Sequence, residues 1–212
     1  MATERQALVK LTNYATAHII SATIGHKYSS NYKNSITLEN ISDGNTAPQK
    51  MHVQYNTGAF TTGKDWWKLD WMQTKEVDGK TVLEYCRTNP TNFRSAIDIA
   101  ESLTKSGLDL AKIAAIKVAY TSLKGMAGAA AAAGPYGVAA AGTIGATAIA
   151  TGITAHLVSM SLNDESTAGF KQHILREDDE RDGIEIQILN NGIVKFISKT
   201  GVSETVYERR EL

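Results

Sequence analysis

The residues that could carry catalytic or metal chemistry are scattered along this chain. No two of the five histidines have a metal-ligand spacing such as HExxH: His18, His26, His52, His156 and His173. The only cysteine, Cys86, has no neighbour that marks a nucleophile, and the sequence has neither a GxSxG elbow nor a glycine-rich phosphate loop. The sequence therefore predicts no catalytic residue, no metal site and no cofactor, and a protein that is not an enzyme.

Charge and cysteine content limit the classes of binding partner and the cellular compartments that we expect for this protein. The 212 residues include 22 Lys plus Arg and 22 Asp plus Glu, with no basic stripe, so we expect no nucleic-acid partner. The N-terminal MATERQALVK lacks an apolar leader, and a lone cysteine suits a reducing compartment. We expect a cytoplasmic protein, or one released without a signal peptide, that becomes membrane-associated on activation.

A charge-free segment is the least ordinary feature of the sequence. Between Lys124 and Asp164 there is no Asp, Glu, Lys or Arg, and about half of the residues are Gly or Ala. A helix from Val138 to Leu162 would be roughly 36 Å long, enough to cross a hydrocarbon core of about 30 Å. The pattern is typical of a helix that inserts conditionally into a bilayer, but also of a closely packed helix pair in a core or an oligomer interface, and of a constitutive transmembrane anchor.

The sequence around Pro135 predicts the reversal of this segment. Proline disrupts a continuous helix and the glycines on either side allow a turn, so Gly134, Pro135, Tyr136 and Gly137 are expected to form the tip of an antiparallel hairpin. Tyr136 would lead entry into a bilayer. The remaining candidates for membrane insertion are apolar residues of the following helix: Ile144, Ile149 and Ile153.

Aromatic residues in the N-terminal half suggest a second candidate surface. In GKDWWKLDWMQ, strand alternation places Trp67, Leu69 and Trp71 on the core face, with Trp66 on the other face beside Lys68 and Asp70. Trp66, Tyr55 and Phe60 are candidate surface aromatics of the kind found at membrane interfaces or under sugar rings. The alternative is that Trp66 lies beneath a loop or the inserted helices.

Strands on both sides of the apolar segment must position these residues. Period-two patterns with Asp78-Gly79 and Asn190-Asn191-Gly192 turns predict strands, and the acidic REDDERD is expected to be solvated. We predict an α+β fold, a β-sandwich-like domain with an inserted Gly/Ala-rich antiparallel helical hairpin. Residues 1–212 form one interleaved domain, with β-strands in 1–90, inserted helices in 91–163 and a completing β-meander in 181–212.

Several stretches resemble a known domain family. LVKLTN, HKYSSNYKN, QYNTGAFTTGKDWW, NPTNFR and AGFKQHILREDDE are similar to the family named for proteins up-regulated in daf-2 mutants. More loosely, the layout of the N-terminal half resembles the aegerolysin and actinoporin-like sandwiches, which bind membrane lipids. The first resemblance implies no catalytic residue, and the inserted hairpin departs from the short aegerolysin pattern.

Two functions from different classes fit these features. The first is a toxin- or defence-like, membrane-active protein that binds lipid and inserts its hairpin, as an oligomeric pore if it assembles. The second is a non-enzymatic interaction module for protein or carbohydrate, with the hairpin as its core or as a homo-oligomer interface. A lipid-carrying or hydrolytic enzyme would require a deep polar pocket, which no motif indicates.

Overall fold

The computed structural model describes residues 2–28, 32–58, 61, 63–89, 111–112, 114–116, 139–167 and 169–212, with backbone alone for 139–144. Residues 111, 112 and 114–116 are helical. The other elements of the described part are β1 (Thr3–Tyr14), β2 (His18–Tyr28), β3 (Tyr32–Ile41), β4 (Met51–Thr57), β5 (Asp65–Val77), β6 (Lys80–Thr88), α1 (Ala139–Asn163), β7 (Lys171–Gln172), α2 (Asp179–Asp182), β8 (Ile184–Leu189), β9 (Ile193–Ser198) and β10 (Gly201–Glu211).

The strands form one sheet that curls into a nearly closed barrel. Their order is β3-β2-β5-β6-β10-β9-β8-β1-β4, with β7 added to β5. All of these pairs are antiparallel except β1 with β8. The outermost strands lie close together, and the Gln54 N–H of β4 donates to Asn34 Oδ1 of β3 at 3.3 Å. Strands from both ends of the chain therefore complete the same sheet.

The nearly closed barrel agrees only in part with the predicted β-sandwich-like domain. The reason lies in β10, which pairs with β9 through Gly201–Val206 and with β6 through Tyr207–Glu211. One strand thus belongs to both halves of the sheet, so the two halves are continuous. The α+β character remains, with strands dominating the described residues.

The predicted turns are confirmed where the structure describes them. Asp78 and Gly79 both have positive φ, 50° and 74°, as a tight two-residue hairpin turn requires. The turn between β8 and β9 likewise uses Gly192, at φ 85°. These short signals fix the register of the β5–β6 and β8–β9 hairpins.

The barrel interior holds the predicted apolar faces. Trp67, Leu69 and Trp71 are completely buried, and Trp67 packs against Phe196 with 6.0 Å between ring centroids. Ile184, Ile186 and Ile188 of β8 line the same core. Period-two alternation therefore identified the inward faces of β5 and β8 correctly.

The long helix α1 lies on the outside of the barrel. It contacts β2 most extensively, followed by β3 and β5. Its bounds, Ala139–Asn163, agree with the predicted helix from Val138 to Leu162. The predicted tip, Gly134 to Gly137, and most of the preceding helical arm lie outside the described residues.

Candidate functional site

The outer face of β2 provides most of the surface on which α1 lies. Residues Ser21, Thr23, Gly25 and Lys27 alternate toward this face, and we call these four residues the helix seat. All four are buried beneath α1 and the segment that follows it. Polar and small residues on an outward β face are therefore explained by the helix above them.

Gly25 allows the closest approach of the helix to the sheet. A Cβ atom at this position would lie 2.6 Å from Val158 Cγ1 and 3.4 Å from Leu162 Cδ2. The first distance is too short for two carbon atoms, so any larger residue would displace either the Val158 side chain or the helix. The glycine is required by packing, because its backbone φ is not in the left-handed region.

Hydroxyl groups join the middle of α1 to the helix seat. Thr154 Oγ1 lies 3.0 Å from Ser21 Oγ and 2.9 Å from Thr23 Oγ1. Thr151 donates to a carboxylate oxygen of Glu39 on β3. The hydrogen bonds between hydroxyl groups contribute about 1 kcal/mol each, and the bond to the Glu39 carboxylate contributes about 1.5–3 kcal/mol.

Lys27 fastens the C-terminal end of α1. Its ammonium group donates to the Asp164 carbonyl oxygen at 2.6 Å and to that of Glu165 at 3.5 Å. A cation is favourable here, because the carbonyl groups at a helix C-terminus carry partial negative charge and lack partners within the helix. Lys27 is therefore a cap supplied by the sheet.

The apolar contact between α1 and the barrel consists mostly of small and medium side chains. Ile153 is 4 % exposed, and Ile149 is half-buried against the same cluster. That cluster joins α1 to Ile20, Met72, Leu83 and Tyr85 of the sheet and to Ile116. The side chain of Ile144 lies outside the described part. Of the other two isoleucines predicted to insert, Ile153 is buried against the barrel and Ile149 is partly buried against it.

The outward face of α1 is exposed and free of charged groups. It carries Gly145, Ala148, Gly152 and His156, and Met160 is 43 % exposed. Residues Gly145–Asn163 are long and apolar enough to cross a membrane, and 44 % of that stretch is buried. The core helix of a globular protein can meet the same length and composition test. Such a helix is mostly buried, whereas less than half of this stretch of α1 is buried.

Of the three surface aromatic candidates, the structure describes Tyr55 and Trp66. Tyr55 is completely buried, and its hydroxyl donates to the Arg176 carbonyl oxygen at 3.0 Å, so its prediction as a surface residue was wrong. Burial also raises the pKa of this phenol. Trp66 is half-buried against Val158, Leu162 and Phe170, which agrees with the alternative of a position beneath the inserted helix. Phe60 lies outside the described residues.

Two charged residues beside Trp66 are buried, which the sequence did not indicate. Lys68 is 3 % exposed and lies over the Phe170 ring, 5.7 Å from its centroid, and burial lowers the pKa of its ammonium group. Asp70 is completely buried and accepts a hydrogen bond from the Tyr85 hydroxyl at 2.7 Å. The sequence shows that Lys68 and Asp70 alternate with the core tryptophans. It does not show that other parts of the chain, such as Phe170 over Lys68, cover them.

A buried hydrogen bond between a histidine and a carboxyl group lies inside one end of the barrel. His26 Nε2 is 2.9 Å from Asp65 Oδ1, and both side chains are almost completely buried. The other Asp65 oxygen accepts the Leu175 N–H at 2.9 Å, and the His26 ring packs on Trp67. The pair joins β2, β5 and the segment after β7, three parts of the chain that no local pattern connects.

The described residues show no arrangement typical of a metal centre or an activated nucleophile. No group of three or more His, Cys, Asp and Glu residues within them could hold a metal ion. Cys86 is completely buried, and burial raises the pKa of its thiol, which disfavours the reactive thiolate.

Barrel and helix together define a class: a β-barrel protein that carries a long, uncharged helix on its outer face. The model of the family described as Up-Regulated in long-lived daf-2 matches residues 3–207. The chain belongs to that family, as the resemblance of its motifs predicted. No curated protein matches the chain.

Proposed function

We propose that this protein is a membrane-active, lipid-binding protein that releases α1 from the barrel and inserts it into a bilayer. The observation that supports the proposal best is the position of α1: a helix of 25 residues without a formal charge lies on the surface of the barrel, and 44 % of its apolar stretch is buried. At about 1.5 Å per residue it is about 37 Å long, sufficient to span the hydrocarbon region.

The contacts of α1 suit reversible attachment. Its barrel-facing residues are mainly Ala, Thr and single branched side chains, and its polar contacts are hydroxyl hydrogen bonds and the Lys27 cap. Departure of the helix uncovers the helix seat and also the apolar side chains of Ile20, Met72, Leu83 and Tyr85, so release has a cost in exposed apolar surface. In lipid, the small residues of α1 permit close helix packing, so oligomeric insertion follows from the same composition.

The proposal is tested with a disulfide bond that prevents α1 from leaving the barrel. Ser21 Oγ and Thr154 Oγ1 are 3.0 Å apart, so Ser21→Cys/Thr154→Cys places two sulfurs near the geometry of a disulfide. Cys86 is buried and does not compete for the bridge. Calcein release from vesicles is measured for the oxidised and the reduced double variant, with the single variant Thr154→Cys as control.

We expect release by the reduced double variant and by the control, and at least a tenfold lower rate for the oxidised double variant. Equal release in both redox states would show that departure of α1 is not required. If the unmodified protein neither releases calcein nor floats with vesicles between about pH 5 and 8, it is not membrane-active under these conditions and the proposal fails.

A second candidate is an interaction module that self-associates through the outward face of α1. Cβ atoms at Gly145 and Gly152 would meet nothing within 4 Å, so this face is open and flat enough for another helix. Light scattering after size exclusion tests it. A dimer in the unmodified protein that dissociates in Gly152→Leu would support this function, and a monomer at all concentrations would exclude it.

A further inference from the structure

The barrel has a cleft at the end that contains the His26–Asp65 pair. It has a volume of about 690 Å³, and the residues used below are Tyr28, Lys64, Asp65, Ile174, Arg176 and Glu177. We call it the barrel-mouth cleft. Its volume lies in the range of small-molecule sites, and the mouth of a β-barrel is a common place for one.

The negative groups of the cleft are already bound by the protein. Both oxygens of Asp65 have partners, His26 Nε2 and the Leu175 N–H, each at 2.9 Å. Glu177 forms an ion pair with Arg5 at 2.6 Å. These carboxylates are therefore less able to attract a cationic ligand than their number suggests.

The positive groups of the cleft, unlike its carboxylates, have no partners within the described part of the protein. Lys64 and Arg176 are both exposed, and among the described residues neither side chain has an ion pair or a hydrogen bond. They come from separate segments, the one before β5 and the one after β7. Two free cations in one concavity favour an anion that can engage both.

The wall of the cleft also has an apolar part. Ile174 is 45 % exposed, and the Tyr28 ring lies close enough to the backbone that a Cβ on Gly63 would meet it at 2.0 Å. Ligand sites typically combine such apolar contact with a few polar groups that set orientation. The Tyr28 hydroxyl donates to the Asn56 carbonyl oxygen at 3.0 Å, which fixes this wall.

We propose that the barrel-mouth cleft binds a phosphate ester with a short apolar part, through Lys64 and Arg176. The phosphate dianion matches two cations better than a single carboxylate does. The same chemistry occurs in a soluble phosphate ester and in the headgroup of phosphatidic acid. The inference does not rest on release of α1, which lies on the outer face of the sheet.

The test measures binding of glycerol phosphate to the full-length chain by calorimetry, and of vesicles by flotation. Vesicles contain phosphatidylcholine with or without phosphatidic acid. Lys64→Ala/Arg176→Ala removes both cations. Lys50→Ala/Lys199→Ala is the matched control, because these lysines are exposed, lie outside the cleft and carry the same total charge.

We expect a Kd on the order of 1 mM for glycerol phosphate, weakened at least tenfold by the cleft variant and unchanged by the control. Cleft-dependent binding of glycerol phosphate without vesicle binding indicates a soluble ligand, whereas cleft-dependent flotation with phosphatidic acid indicates the lipid. No binding of either probe up to about 10 mM, or equal weakening by both variants, overturns the proposal. Thermal unfolding of both variants verifies folding, and since the residues are exposed we expect it to be unchanged.

Discussion

At the scale of single residues, partners distant in sequence decide which polar groups are buried. The acidic run REDDERD was expected to be solvated, and for Asp179 that expectation was wrong. This carboxylate is completely buried and accepts hydrogen bonds from the Arg176 N–H, the Thr200 N–H and the Thr200 hydroxyl. The sequence shows a charge run, but it does not show that one member faces a turn 21 residues away.

His173 provides a prediction at this scale. It lies in the segment after β7, with Nδ1 2.9 Å from Ser203 Oγ and no hydrogen-bond partner for buried Nε2 among the described residues. Burial lowers the pKa of its ring, and Lys171 adds to the effect, while Asp179 and Asp65 oppose it. The unfolded chain therefore binds a proton more readily, and stability falls as pH decreases below about 6.5.

Urea unfolding at pH 7.5 and pH 5.5 tests this expectation. We expect a lower free energy of unfolding at the lower pH and a smaller difference for His173→Gln. His18, whose pKa burial also lowers, accounts for part of what remains. His52→Gln, at an exposed position on β4, should behave as the unmodified protein. An identical pH dependence in all three proteins would show that His173 is not the responsible group.

At the scale of elements, local signals were sufficient for the hairpins and for α1. Asp78-Gly79 and Asn190-Asn191-Gly192 each determine a turn through backbone conformation, and the absence of charge before Asp164 identifies the helix. Where α1 lies could not be predicted. Its position depends on Gly25, which in the sequence is one glycine within the strand HIISATIGHKY.

The packing of Gly25 gives a prediction for this element pair. Gly25→Ala places a methyl group against Val158 and should lower the free energy of unfolding by about 1–3 kcal/mol, because the helix must move. If α1 inserts into bilayers, the variant should also release calcein faster. Urea unfolding and vesicle leakage measure the two effects.

Two variants make the packing explanation specific. Gly152→Ala adds the same methyl group where nothing lies within 4 Å, so it should not destabilise the protein. Gly25→Ala/Val158→Ala removes the opposing methyl groups, so its loss should be smaller than the sum of the two single losses. Additive losses would exclude direct contact between residues 25 and 158 as the cause.

At the scale of the whole molecule, closure of the barrel depends on contacts between the two ends of the chain. Val9 of β1 pairs with Ile184 of β8, and Thr88 of β6 pairs with Tyr207 of β10. Alternation predicted these strands individually. Their order could not be predicted, since period two specifies which face is buried but not which strand lies beside it, and β10 changes partner halfway along its length.

These distant pairings predict slow folding. Contacts separated by more than 100 residues require closure of long loops, so we expect refolding in the millisecond to second range. Stopped-flow fluorescence can follow the burial of Trp67 and Trp71. Complete recovery of the native signal within a mixing time of about 1 ms would contradict this expectation, because local contacts would then dominate the transition state.

The order of the strands along the chain also has a consequence during synthesis on the ribosome. The strands beneath α1 are β2, β3 and β5, all of which precede it in the sequence, whereas β8 to β10 follow it. The surface that covers α1 is therefore translated before the helix itself. An uncharged helix of 25 residues would otherwise be exposed in the nascent chain to membrane-targeting factors and chaperones. Here it can dock as it emerges, before the C-terminal strands close the barrel.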